Sequence, residues 1–301
     1  MIMDGIEAPE RLSAANPDGI DLVVWSEGSS PRNVHDGATH RRLSQLASDG
    51  GFELFLGGGT AIRRDYPRTD AEWAEHRARD PKEHELLGRE PGDAWLENYN
   101  SVYLFGDDGE IRGRYDKVVP LPFGEYLPLA GTFPILRTWI QGPGDFRAGT
   151  EVTTIDSEFA TLGTPICYEA ILPYLCRRYS GATLLLNPTN DAWFSEPGPQ
   201  LHAMLATGRA IELGIPLVRS AFTGTSMVVE PHGRIIHEVA PFVADETVVP
   251  VRMVSLDTVY KRFGDWFTLV CFIGLVLALV VGPWARRRRQ AVTEAPDPTQ
   301  R

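Results

Sequence analysis

Between Trp266 and Trp284 the chain reads "WFTLVCFIGLVLALVVGPW", a run with no charge inside it. At about 1.5 Å of rise per residue a helix of this run reaches roughly 28 Å, close to the hydrocarbon thickness of a bilayer. Trp266, Phe267 and Trp284 stand at its two ends, where membrane interfaces collect aromatic side chains. A buried core helix is the soluble alternative, and the residues that follow argue against it. They are four arginines, Arg286 to Arg289, and then a polar tail. Arginine blocks stay on the cytoplasmic side. The expectation is therefore a transmembrane helix over 263–285, a cytoplasmic basic and polar tail over 286–301, and a domain over 1–262 on the outer side of a bacterial inner membrane. Nothing at the N-terminus explains export, because "MIMDGIEAPERLSAANPDG" is polar and acidic without an apolar core.

Upstream of that segment the pattern is that of a globular domain. "IDLVVW" (Ile20 to Trp25) is a strand-length apolar run that ends in the polar turn "SEGSSP", and Arg41 to Ser48 has helical spacing. Phe52 to Arg63 reads as a second buried strand, and Arg64 to Asp93 as a charged, solvated excursion. Tyr99 to Lys117 is strand, Gly/Asp turn and strand, a hairpin signal. Thr153 to Glu169 repeats that grammar. "ATLLLNPTND" is again a strand, "QLHAMLATGRAIELG" an amphipathic helix, and Ile215 to Val239 a further strand and hairpin. Nearly unbroken apolar strands alternating with helices predict an α/β fold whose sheets are covered on both faces. A net charge of −11 argues against a nucleic-acid partner. None of the cysteines has metal-ligand spacing to a second Cys or His, so no metal is expected.

In such folds a site forms where strands run out. Glu27 follows "LVVWS", Lys117 closes "RGRYDK", Glu125 lies in the "VVPLPFGEYLPL" that comes next, and Cys167 ends "LGTPI" ahead of Tyr168 and Glu169. Taken singly, each has a structural explanation: a turn carboxylate, a surface lysine, a small buried hydrophobe, or half of a disulfide with Cys176. Together they supply what acyl chemistry on a thiol needs. A carboxylate can take the thiol proton, and a cation can hold the charge that develops on a carbonyl oxygen. The backbone N–H of Tyr168, at the head of the following turn, would complete an oxyanion site.

A Glu, Lys, Cys set on three strand ends in this order resembles the nitrilase, or carbon–nitrogen hydrolase, superfamily. The words "VVWSEGSSP", "YDKVVPLPFGEYLPL", "ICYEAILP" and "NPTNDAWFSEPGPQLHAMLATGRAIELGIPLVRSAFTGTS" resemble its apolipoprotein N-acyltransferase branch over about Ile20 to Trp284. That resemblance implies a four-layer αββα sandwich. It implies Glu27 as general base, Lys117 as oxyanion-stabilising cation, Cys167 as nucleophile, and Glu125 as the glutamate that orients lysine and cysteine. Tyr168 and Glu169 would shape the acyl and amine pocket, and Trp193 and Phe194 would line it. The reaction implied moves a fatty acyl chain from a phospholipid, through a thioester, to the amine of an S-diacylglyceryl-cysteine at the N-terminus of an apolipoprotein, with no cofactor. Departures from the pattern are Ser26 where the family has proline, no first strand ahead of "LVVW", and no upstream bundle of membrane helices. The expectation is a fragment, a misplaced start or a split enzyme, which folds poorly by itself. Two alternatives share the triad: a membrane-tethered amide hydrolase with water as acyl acceptor, and an inactive truncated remnant acting as a scaffold.

Overall fold

The computed structural model describes residues 19–79, 93–130, 132–133, 135–140 and 144–293. The expectations placed on the N-terminal stretch before residue 19, on residues 80–92 and on the tail beyond Thr293 lie outside the described residues, as do those on the side chains of Trp284 and Arg286 to Arg289. The chain divides into two compact units, the first ending at Leu256 and the second beginning at Asp257.

Two mixed six-stranded sheets and their helices make up the first unit. The first sheet is assembled from β1 (Leu22–Val24), β2 (Ser30–Asn33), β3 (Glu53–Asp65), β4 (Ala94–Phe105), β5 (Ile111–Asp116) and β6 (Phe146–Arg147), with helices α1 (Gly37–Gly50) and α2 (Asp70–Arg79) between its strands. β1 and β2 run parallel to β3, β3 and β4 form a long antiparallel pair, β5 continues it, and β6 adds in parallel to β4. The second sheet runs β12-β11-β10-β9-β8-β7. Its strands are β7 (Ile155–Asp156), β8 (Thr161–Gly163), β9 (Leu184–Asn190), β10 (Leu217–Phe222), β11 (Ser226–Val229) and β12 (Ile235–Val239), with helix α3 (Gly198–Leu213) entering between β9 and β10.

Alternation along the strands decides what packs where. On β3, Leu54 and Leu56 point to one face and join Tyr103 and Phe105 of β4 against the α1 residues Leu43 and Ala47. Phe55 points to the other face, and with Val102, Leu104 and Tyr115 it shares a core with Leu162, Leu184, Leu186, Leu217 and Val229 of the second sheet. Both faces of β3 and β4 are thus buried, which is why their sequences read as unbroken apolar runs. α1 stops where Gly51 takes the left-handed conformation at φ +61° and its N–H donates to the Ala47 and Ser48 carbonyls. α3 packs on β10 and β11, and its buried side includes Ala203, Ala206 and Ala210, whose small side chains let it approach closely. The result is an α/β sandwich with a helix against each sheet.

The charged excursion begins differently from the expectation of a solvated loop. β3 continues through Asp65 and pairs with β4 as far as Ala94. Arg64 Nε donates to Glu97 Oε2 at 2.8 Å, and the Glu97 side chain is fully buried. Polar residues there mark a strand pair held by a cross-strand ion pair rather than exposed chain.

In the second unit a helical turn, Val259–Phe263, is capped by the Thr258 side chain, which accepts from the Lys261 N–H. Gly264, at φ +61°, breaks the chain before helix α4 (Trp266–Thr293) begins, so the apolar helix starts three residues later than the sequence boundary at 263. The described apolar side chains of α4, such as Phe267, Leu275 and Leu279, are exposed. Among the described residues no helix is long and apolar enough to cross a membrane.

Candidate active site

Three strand ends converge at one place. Glu27 lies two residues past the bonded end of β1, where Trp25 N–H still donates to the Phe55 carbonyl at 2.8 Å. Gly28 turns the chain there at φ +71°. β3 passes directly beneath: a Cβ on Gly57 would stand 2.6 Å from Glu27 Cα and 2.9 Å from Gly28 N. Lys117 follows β5, with its N–H on the Asn100 carbonyl of β4 at 2.9 Å. Cys167 opens a short 3-10 turn, Cys167–Ile171, and sits at φ +49°. A non-glycine residue in the left-handed region costs about 1–3 kcal/mol and persists only where its surroundings enforce it.

Lys117 is 1% exposed and lies between two carboxylates. Its Nζ is 2.7 Å from Glu125 Oε2 and 3.4 Å from Glu27 Oε1. Asn100 Nδ2 donates to both, at 2.6 Å to Glu27 Oε1 and 2.5 Å to Glu125 Oε1. The other Glu125 oxygen also accepts from the Leu121 N–H at 2.6 Å. The second Glu27 oxygen accepts from the Asn190 N–H at 2.7 Å. Burial alone would lower the Lys117 pKa, but the negative charge of Glu27, with that of Glu125 and of Cys167 once it ionises, more than reverses that, and the ammonium is held well above its ordinary value.

The Cys167 thiol is 3% exposed and donates to the Asn190 carbonyl at 3.8 Å, within range of the Glu27 charge. Burial first, and then the charge of Glu27, push the thiol pKa up, with Lys117 pulling against them. The thiol therefore rests protonated, with a carboxylate in place to take the proton and a fixed cation beside it. Such an arrangement can run acyl transfer through a thioester. Cys176 is also a free, buried thiol that donates to the Glu169 carbonyl at 3.4 Å, so no disulfide joins it to Cys167.

The remaining residues singled out by sequence fall in three settings. Glu125 is in the cluster, as described. Glu169 is fully buried close behind Cys167, and its carboxylate accepts from the N–H groups of Ile166, Val118 and Val119 at 2.9, 2.7 and 2.9 Å and from Tyr115 Oη at 2.9 Å. It ties the nucleophile turn to the segment after Lys117. Tyr168 is half-buried. Trp193 is 64% exposed, whereas Phe194 stacks edge-on against His202 with ring centroids 6.0 Å apart.

A second set of buried polar groups beneath the thiol escaped the sequence reading. His202 Nε2 lies 3.2 Å from the Cys167 carbonyl and its Nδ1 lies 2.7 Å from Asp191 Oδ1. Arg219 Nη2 donates to Asp191 Oδ2 at 2.7 Å. Ligand atoms of Cys167, Asp191 and His202 all lie within 4.8 Å of one another, close enough for one metal ion to bridge. Both imidazole nitrogens and both Asp191 oxygens are already engaged, however, and the Arg219 cation sits on that carboxylate, so the set reads as a hydrogen-bond network.

The Carbon-nitrogen hydrolase family pattern matches residues 6–259. A Geobacter metallireducens protein named apolipoprotein N-acyltransferase is 36% identical over 288 residues, covering 93% of this chain and 49% of that protein. One of the same name from Agrobacterium fabrum is 38% identical over 240 residues, 75% of this chain and 40% of that protein. The chain spans about half the length of the curated relatives it matches. Among solved structures, the carbon-nitrogen hydrolase from Helicobacter pylori G27 superposes with a TM-score of 0.50 at 18% identity, covering 73% of each chain. A variant of the amidase from Nesterenkonia sp. AN1, which carries acrylamide added to its active-site cysteine, superposes with a TM-score of 0.52 at 19% identity, covering 78% of this chain and 81% of that one. At such identities these two likenesses speak to the fold.

Proposed function

This chain belongs to the carbon–nitrogen hydrolase family, and on that premise we propose that it is the thioester-forming part of an enzyme that moves a fatty acyl chain from a phospholipid to the N-terminal S-diacylglyceryl-cysteine of apolipoproteins. The observation that carries the reading is Lys117, buried and charged, in contact with Glu27 and facing the Cys167 thiol. Glu27 takes the thiol proton as sulfur attacks the ester carbonyl. The oxyanion forms against Lys117 Nζ and the Tyr168 N–H. Its collapse releases a lysophospholipid alkoxide, to which Glu27 returns the proton, and leaves the acyl thioester. The apolipoprotein amine then attacks that thioester, giving its proton to Glu27, and the departing sulfur takes that proton back as the thiol is restored. Glu125 holds Lys117 in register, and Glu169 shapes the pocket through the loop it braces. Trp193, Phe194 and Tyr168 line the approach.

Lipid substrates suit the surface near the site. Phe123, Leu129, Phe133, Ile135 and Trp139, all on the excursion that carries Glu125, are 52% to 74% exposed. In this proposal the run from Trp266 to Trp284 lies in the inner membrane, with the arginines after it in the cytoplasm and the catalytic domain on the outer face, a reading supported by its charge-free sequence and the arginine block. Tethering there raises the effective concentration of both lipids.

The test is intact-mass analysis of the full chain after incubation with phosphatidylethanolamine vesicles, beside Cys167→Ala. A hydroxylamine-labile fatty-acyl adduct on the native cysteine alone is the expected result. Addition of a diacylglyceryl-cysteinyl peptide should then discharge it as an amide. Discharge to free fatty acid at the same rate with and without the peptide would make the chain a hydrolase instead. No adduct on Cys167 would remove the thioester.

A further inference from the structure

We propose that Asp191, His202 and Arg219 form a positioning relay that holds the Cys167 backbone, so that thiol geometry is set by the end of β9 rather than by the nucleophile turn itself. The inference rests on Cys167 being the nucleophile of the proposed function. Cys167 occupies a left-handed conformation, which its surroundings must hold in place. Two side chains from outside the turn hold the chain around it. Asn187 Nδ2 donates to the Pro165 carbonyl at 2.8 Å, and His202 Nε2 reaches the Cys167 carbonyl at 3.2 Å. A carbonyl can only accept, so a bond there commits an Nε2 hydrogen, while Nδ1 meets both Asp191 Oδ1 at 2.7 Å and Arg219 Nη2 at 3.2 Å. That bond removes Nε2 as a proton acceptor for the thiol, although it lies nearby.

Arg219 anchors both grips. Its side chain is fully buried in β10, where an unmatched charge would be prohibitive. Nε donates to the Thr225 carbonyl at 3.1 Å, Nη1 to Asn187 Oδ1 at 2.5 Å and to Thr189 Oγ1 at 3.0 Å, and Nη2 to Asp191 Oδ2 at 2.7 Å. The guanidinium therefore fixes the orientation of Asn187, which holds Pro165, and of Asp191, which holds His202 through Nδ1 at 2.7 Å. Between them Asn190 contacts Glu27 through its N–H and the thiol through its carbonyl. A displacement of this strand end would move nucleophile and base together.

Two replacements separate the atoms of the imidazole. His202→Gln keeps an N–H donor near the position of Nε2, and His202→Asn keeps one near Nδ1 only. Alkylation of Cys167 by iodoacetamide in the full chain, followed by peptide mapping in a Cys271→Ser background, reads thiol geometry without any lipid. The titratable and charged groups around the thiol are Glu27, Lys117, Asp191, His202 and Arg219, so rates are compared over the whole pH profile. His202→Asn is expected to slow Cys167 at least about tenfold, and His202→Gln to stay within about threefold of the unaltered chain, as a misplaced reacting group predicts. Both should keep the shape of the profile and the melting temperature. Equal rates in the two variants, whether slowed or not, would overturn the relay. Loss of one limb of the profile in both would overturn it in favour of His202 as a base. The lipid reading fails separately: an unaltered alkylation pattern without a fatty-acyl adduct leaves the relay standing and removes the substrate.

Discussion

The Glu27 charge opposes ionisation of the Cys167 thiol for as long as the carboxylate itself lacks the proton. Burial and the Glu27 charge both raise the thiol pKa, and Lys117 lowers it. Removing the negative charge in Glu27→Gln takes away a raising influence and leaves the lowering one. The midpoint of Cys167 alkylation against pH should therefore move down in Glu27→Gln, even as acyl transfer is lost for want of a base. A midpoint that stays or rises would show that Glu27 does not face the thiol as a charge. Glu27, Lys117 and Cys167 were legible in the sequence because each ends a strand, and a polar residue at such a point stands out against the apolar run before it. Asn100, Asp191, His202 and Arg219 were not. Asn100 lies inside a strand and His202 on the buried side of a helix, where one polar residue looks like an interruption of the pattern. Arg219 left a readable trace, a lone cation inside the apolar word "IPLVRSAF", which implies a buried partner without naming it. The partners come from segments 28 and 32 residues away, a separation that no local pattern encodes.

Among elements, β3 does more than fill the first sheet. Gly57 lets the Glu27 turn rest on the strand, because the atoms that would meet a Cβ there belong to the backbone of Ser26, Glu27 and Gly28. Gly57→Ala should push that turn away and slow Cys167 acylation by about 100-fold, the scale of a 1 Å misplacement. Circular dichroism should remain that of the folded chain. Unchanged kinetics would mean that the turn moves freely without consequence for the base. The strand runs were readable from composition, as was the hairpin β4–β5, but the outer part of the β3–β4 pair was not. There the residues turn polar, and only the register that sets Arg64 opposite Trp95, with Glu97 two residues on, makes a ladder of them. α1 extends past the periodic Arg41 to Ser48 at both ends because its boundaries follow from Asp36 and the left-handed Gly51, not from apolar spacing.

At the scale of the molecule, Glu27 and Lys117 belong to the first sheet and Cys167 to the second, so the proposed chemistry depends more on the contact between sheets than on the contact between a sheet and its helix. Phe55→Ala opens a cavity between the sheets and Leu43→Ala opens one under α1; both side chains are fully buried. Each should lower stability by about 3–5 and 2–5 kcal/mol respectively. Phe55→Ala should in addition slow Cys167 alkylation well below its melting range, whereas Leu43→Ala should leave it unchanged. Equal chemical effects at equal loss of stability would mean that the site does not register the fit of the two layers. One feature of the site is protected from such changes. The contacts of Asn190 with the proton's donor and with its acceptor are both made by main-chain atoms, its carbonyl and its N–H. A codon change at position 190 to any residue but proline keeps both atoms. The ruler that spaces acid from base is thus inherited with the course of the strand and not with the residue, and descendants of this sequence can drift at that position while the proton still crosses the same gap.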